Sequence, residues 1–214
     1  MQTELEKLDD FYSNRVPRHW NLSLERQAET AKREDGEAQR LFNDMTSVDA
    51  TIDIIVGSDP DHELAHYHLN IAAGCMSAEA QSHRAPFLTL SHDYASFEIL
   101  EQESGDSILG FLGALAGQKE DLKLTPGRMQ NLSGIHGTLS FQLTGEKPMA
   151  LEARFGSGTN EEESRCSVKL SRETYQELKS GAIAPQDVFL NGLVEIEGDM
   201  QMAMQIALAA VAPG

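Results

Sequence analysis

Three stretches decide the fold: Gly137-Thr-Leu-Ser-Phe-Gln-Leu-Thr144, Ala184-Pro-Gln-Asp-Val-Phe-Leu-Asn-Gly-Leu193 and Val194-Glu-Ile-Glu-Gly-Asp-Met-Gln-Met-Ala-Met-Gln-Ile206. The first alternates apolar and polar residues, the mark of a strand with one buried face. The last enters a Gly-Asp turn and continues as a helix that is apolar on nearly every side. Such a helix needs cover on more than one side. The protein's own core, a partner or a bound apolar molecule would each supply it.

Working outward, the same alternation recurs. Leu139, Phe141 and Leu143 alternate with polar neighbours, as do Leu151, Ala153 and Phe155, then Cys166, Val168 and Leu170, then Val194 and Ile196. Four strands of this kind predict an antiparallel sheet with one greasy and one wet face. Helices over 171–180, 185–191 and 199–210 are the natural cover. Ser171 is placed to cap the first and Gly181 to end it. Pro185 suits the first turn of the second.

The order of these elements across Ser133 to Ala210 resembles the sterol carrier protein type 2 family. The closest correspondence is Phe189-Leu-Asn-Gly192 followed by Glu195-Ile-Glu-Gly-Asp-Met200, which looks like that family's F-x-x-G-x-h-x-h-x-G-D signature. The resemblance implies an α+β fold, a mostly antiparallel sheet covered on one face by helices, and non-catalytic binding or transfer of a fatty acyl chain, sterol or similar lipid. With the facing pattern, it marks Phe141, Leu151, Phe155, Val168, Phe189, Ile196, Met200, Met204, Ile206 and Leu208 as the lining of a ligand cavity between sheet and helices. All would act by apolar packing. Methionine, flexible and polarizable, suits a cavity of changing shape. In the terminal helix, Met200, Ala203, Met204, Ala207, Leu208 and Val211 form one stripe, and Met202, Ile206 and Ala209 another. An ordinary core helix or a dimer face would use the same residues.

The first half reads as a degenerate copy of the second. Ala50-Thr-Ile-Asp-Ile-Ile-Val-Gly57 lies over 137–144, and Ala65-His-Tyr-His-Leu-Asn-Ile-Ala-Ala-Gly74 over 149–158. Leu88-Thr-Leu-Ser-His-Asp93 lies over 168–173, and Phe111 to Gly117 more loosely over 190–198. The copy lacks the Glu-Gly-Asp-Met turn and the methionine-rich helix. The chain then divides into a charged helical region, 1–48, a degenerate unit, 49–130, and an intact unit, 131–214. In the helical region Leu5, Leu8 and Tyr12 mark a short helix. Pro17 is expected to interrupt the segment after it, with Asn21 or Ser23 capping a longer helix from 24 to 45. The middle of that helix, Thr30 to Glu37, has almost no apolar stripe, so it is expected to be solvated or to pack only through its ends.

A net charge of −17 argues against nucleic acid and against electrostatic docking on anionic lipid. It leaves room only for brief, apolar membrane contact. The N-terminus has neither the basic nor the apolar region of a secretory signal, and no apolar run approaches the roughly 20 residues of a spanning helix. Cys75 and Cys166 are isolated and form no metal or disulfide pattern. The C-terminal residues are no peroxisomal address. These features point to the cytoplasm.

His66 and His68 share one strand face, which is workable metal geometry. His62, His83 and His92 lie near in sequence, with Asp59, Asp61 and Glu63. Alternation puts Tyr67, Leu69 and Ile71 inward, so both histidines are expected to face water, and no metal or cofactor is expected. Nucleophile elbows, Walker loops and GxGxxG are absent. The glycine-rich stretch from Gly105 to Gly117 carries Ile108, Leu109, Phe111, Leu112 and Leu115, and so reads as packing. Glu161-Glu-Glu163 reads as a solvated loop. Two alternatives remain beside the carrier. One is an accessory or scaffold subunit with a filled core in lipid, quinone or polyketide metabolism, docking through the N-terminal helices. The other is an enzyme with a shallow metal site at His66 and His68.

Overall fold

A computed structural model describes residues 3–34, 36–57, 63–115, 122–156 and 164–211. Its strands are β1 (Ala50–Gly57), β2 (Glu63–Ala72), β3 (Cys75–Glu79), β4 (Leu88–His92), β5 (Gly137–Thr144), β6 (Met149–Phe155), β7 (Ser164–Ser171) and β8 (Val194–Gly198). They form one sheet in the order β3-β2-β1-β4-β6-β5-β7-β8. The pairings are antiparallel except β1 with β4 and β5 with β7. The fold is therefore α+β with a mostly antiparallel sheet.

The helices are α1 (Glu4–Asp9), α2 (Val16–Arg33), α3 (Glu37–Thr46), α4 (Tyr94–Ser104), α5 (Gly110–Leu115), α6 (Pro126–Ser133), α7 (Arg172–Ser180), α8 (Pro185–Leu190) and α9 (Met200–Val211). A π-helical turn, Asp10–Arg15, joins α1 to α2 without a break. The alternation predicted for the second half holds. Leu139, Phe141, Leu143, Leu151, Phe155, Cys166, Val168 and Leu170 are buried, and the polar residues between them are not. Ser171 caps α7 by accepting the Thr174 N–H, and Gly181 ends it in the left-handed conformation.

Within each half, a central strand pairs antiparallel with the strand after it and parallel with a later one. β1 does so with β2 and β4, and β5 with β6 and β7. Register agrees as well: Ile52 faces Leu69 and Ile54 faces Tyr67, while Leu139 faces Ala153 and Phe141 faces Leu151. The halves join where β4 pairs with β6, which stands against β4 as β8 stands against β7. In the stretch aligned with the last strand, 111–117, the described residues are helical. They lie in α5, whose Phe111, Leu112 and Ala114 are buried.

The N-terminal region corrects three expectations. Pro17 does not end the helix: it follows directly on the π-helical turn, and the chain stays helical through it into α2. Asn21 and Ser23 are interior helix residues, not caps. The Asn21 amide donates to the Met76 carbonyl at 3.0 Å and accepts the Met76 N–H at 2.8 Å. Trp20 donates to the Gly74 carbonyl at 2.9 Å. Together they cover the outer edge of β3. Four apolar residues of the region, Leu8, Phe11, Tyr12 and Val16, are fully buried in the core. Arg15 binds Glu101 and Asp106 at the end of α4. The break in the helix falls before α3, which packs back on α2 and brings Gln27 within 3.2 Å of the Ala38 carbonyl.

No helix among the described residues is long and apolar enough to cross a membrane. Asp59, Asp61, His62, Gly117 and Glu161 to Glu163 lie outside the described residues, as do the side chains of Ala210 and Val211.

Candidate functional site

β8 leads straight into α9 through Gly198 and Asp199. Gly198 has φ +87°, and a Cβ there would lie 2.3 Å from the Arg165 carbonyl oxygen, so this corner requires glycine. Asp199 donates its own N–H to that same carbonyl at 2.9 Å. Its carboxylate accepts the Met202 N–H at 3.0 Å, capping α9. That bond, followed by the Ser164 hydroxyl, holds the Asp199 carboxyl below the usual carboxylate range. The Gly-Asp pair thus fixes the angle at which α9 meets the sheet.

α9 packs on β7, β8, α5 and α6. Met202, Ile206 and Ala209 point into the core. One turn around, Met200, Met204 and Leu208 face outward, with Met204 59% and Leu208 64% exposed. Arg128 of α6 donates from Nε to the Ala209 carbonyl at 3.3 Å, satisfying a group in the last turn of α9. The cover expected on several sides of this helix is present on one.

The ten predicted lining residues separate accordingly. Phe141, Leu151, Phe155, Val168 and Ile206 are buried. Ile196 is half-buried. Phe189, Met200, Met204 and Leu208 are exposed. Phe141 packs between Phe111 and Tyr175, with ring centroids 5.7 and 5.9 Å away. Those neighbours fill the space on the inner face of β5. A shallow cleft does exist, about 400 Å³ counting the part open to solvent. It lies elsewhere, among Val16, Trp20, Met45, Ile108, Leu109 and Leu122, and none of the ten residues lines it.

Of the nine large apolar side chains exposed among the described residues, six fall between Phe189 and Leu208. They are Phe189, Leu190, Leu193, Met200, Met204 and Leu208. Single exposed apolar residues are ordinary, but such a concentration is not. On the wet face, Lys169 of β7 reaches Glu197 at 3.3 Å and Glu195 at 3.9 Å.

The thiol of Cys166 is buried on β7, and burial, followed by the nearby Asp199 charge, pushes its pKa up. It is therefore no activated nucleophile. His66 and His68 are on the outer sheet face, as alternation required, but not simply in water. Asp53 of β1, which sequence reasoning passed over, lies between them: its Oδ1 is 2.9 Å from His68 Nδ1 and its Oδ2 is 3.3 Å from His66 Nε2. The available signal was its position in Thr51-Ile-Asp-Ile, on the polar side of an otherwise apolar strand.

Residues 119–210 match the model of the SCP-2 sterol transfer family. The second half of the chain is thus similar in sequence to that family. A solved structure, sterol carrier protein 2 from Yarrowia lipolytica in its apo form, matches with 16% identity and a TM-score of 0.28. That match covers 36% of this chain and 74% of the other. No curated protein matches.

Proposed function

We propose that this protein binds or transfers an apolar ligand, a fatty acyl chain, a sterol or a similar lipid, without catalysing a reaction. The carrying observation is the concentration of exposed apolar side chains at Phe189–Leu193 and along α9, inside the segment that matches the SCP-2 family. Burying a side chain such as Met or Leu is worth about 1.5–3 kcal/mol. A ligand covering Met200, Met204 and Leu208 recovers part of that. A dozen ligand methylenes at ~0.8 kcal/mol each supply at most about 10 kcal/mol, and micromolar binding needs about 8. Entry beside α9, rather than residence against Phe141, is the route this packing favours.

The recurrence of strand pairing in β2-β1-β4 and β6-β5-β7 supports reading the first half as a degenerate copy of the second, in the divisions 1–48, 49–130 and 131–214. In that reading the first copy is a structural partner. Free cysteines at Cys75 and Cys166 fit a reducing cytoplasm.

A second reading, an accessory or scaffold subunit, draws on the packing of Phe141 between Phe111 and Tyr175, which leaves little room behind the sheet. Native mass spectrometry of freshly purified protein, with organic extraction, separates the two. A bound species of lipid mass, lost in a folded Met204→Glu/Leu208→Glu variant, establishes the carrier. An apo mass unchanged after incubation with acyl and sterol mixtures establishes the scaffold.

A further inference from the structure

The outer face of β1 and β2 holds a cluster for which lipid binding has no use. In the antiparallel register His68 faces Asp53 directly, and His66 lies two residues along the same face. Asp53 is nonetheless buried, because residues 81–83 cross above it. The crossing is anchored by Asn70, whose amide donates to the Gln81 carbonyl at 2.9 Å and accepts the His83 N–H at 2.9 Å. Thr51 in turn donates to Asn70 at 2.8 Å. The result sets Ser82 Oγ 3.0 Å from both Asp53 Oδ1 and His68 Nδ1.

A carboxylate taken out of water needs compensation. Among the described residues, no Lys or Arg pairs with Asp53; its neighbours are two imidazoles and a hydroxyl. One ring nitrogen from each histidine and one Asp53 oxygen all lie within 4.8 Å of one another. Zinc bonds of about 2.0–2.2 Å place tetrahedral ligand atoms roughly 3–3.5 Å apart. The Asp53 Oδ2–His66 separation, 3.3 Å, falls in that range, and the Oδ1–His68 separation, 2.9 Å, lies just below it. His66 is exposed, so its ring is free to close the remaining gap. Behind it, Glu63 Oε1 lies 3.8 Å from His66 Nδ1, on the side away from Asp53. A carboxylate behind a ligating imidazole is the usual orienting arrangement.

A serine–histidine relay is excluded by the same distances. Ser82 and Asp53 meet the same nitrogen of His68, whereas a relay needs them on opposite nitrogens.

We propose that Asp53, His66 and His68 form a binding site for a divalent transition-metal ion, zinc being the reference case. Imidazole and carboxylate together select zinc, nickel or copper over magnesium or calcium. The acidic chain, at −17, concentrates cations near it. With three protein ligands, a coordination position stays open toward solvent beside His66.

The test uses the full chain without a histidine tag, stripped with chelator and titrated with Zn²⁺ by calorimetry and with Co²⁺ by visible absorption. One equivalent is expected to bind, with a Co²⁺ ligand-field band. His66→Gln and His68→Gln should each weaken binding at least about tenfold. His83→Gln, which removes the exposed imidazole 2.8 Å from Glu79, should leave binding unchanged. Both ligand positions are accessible enough that the variants fold, and circular dichroism confirms it. Absence of stoichiometric binding, or equal affinity in the His66→Gln/His68→Gln double variant, overturns the site. Neither outcome bears on lipid binding, which is read separately by bound mass.

Discussion

The hydroxyl of Tyr12 donates a hydrogen bond to Nε2 of His92 across 2.5 Å in the buried core. The direction is set by the other ring nitrogen, Nδ1, which donates to the Asp93 carbonyl at 2.9 Å. One residue comes from the π-helical turn and the other from the end of β4, so this bond ties the N-terminal region to the sheet. Tyr12→Phe leaves the imidazole acceptor buried and unsatisfied, at a cost of about 1–3 kcal/mol by denaturant unfolding. Removing both partners, in Tyr12→Phe/His92→Leu, is expected to cost less than the two single changes added together.

The same histidine makes stability depend on pH. Burial lowers the His92 pKa from its ordinary value near 6.5. The unfolded chain therefore takes up a proton at a pH where the folded chain does not. The stability associated with this group is present above about pH 6.5 and is lost as pH falls below it. Denaturant midpoints measured from pH 7.5 down to 5.5 should decline, and the decline should be smaller in His92→Leu.

The two faces of α9 should respond oppositely to truncation. Ile206→Ala removes a buried side chain and is expected to cost about 2–5 kcal/mol. Met204→Ala changes an exposed one and should stay within about 0.5 kcal/mol. Thermal melts of both variants check this. Equal costs would mean that the apolar outer face is covered in solution.

Gly198→Ala sets a Cβ against the Arg165 carbonyl at a positive φ. It is expected to cost at least about 1–3 kcal/mol. Hydrogen exchange should show the loss concentrated in β8 and α9, because the Asp199 cap moves with the corner.

Much of the second half was legible because alternation there is strict and the caps are local. Ser171, Gly181 and Pro185 act through groups within a few residues of themselves. The N-terminal region was misread because its determinants are remote: Asn21 looks like a cap until β3 is in place to receive its amide. At β4, strand pairing and the sequence match differ by two residues. By pairing, Leu88 stands opposite Ile52 as Cys166 stands opposite Leu139, whereas the sequence match put Leu88 over Val168. A shift of two keeps the same face, so alternation could not detect it. For the proposed lining, facing patterns located the inward residues of β5, β6 and β7. They do not tell which stripe of an apolar helix the sheet takes, and Met202 with Ile206 won over Met200 with Met204. Asp53 escaped notice because its partners sit on another strand and on the crossing at 81–83.

Trp20 and Asn21 take up the Gly74 carbonyl and the Met76 groups at one rim of the sheet, while β8 ends the other. In the terms of polymer chemistry, the described part of the sheet has a single reactive end. Units with two such ends grow into fibres; units with one can join a like unit and then stop. Glu195 and Glu197 on β8 discourage even that step by placing like charges where two copies would meet. Growth by strand addition along this sheet would therefore terminate at a pair.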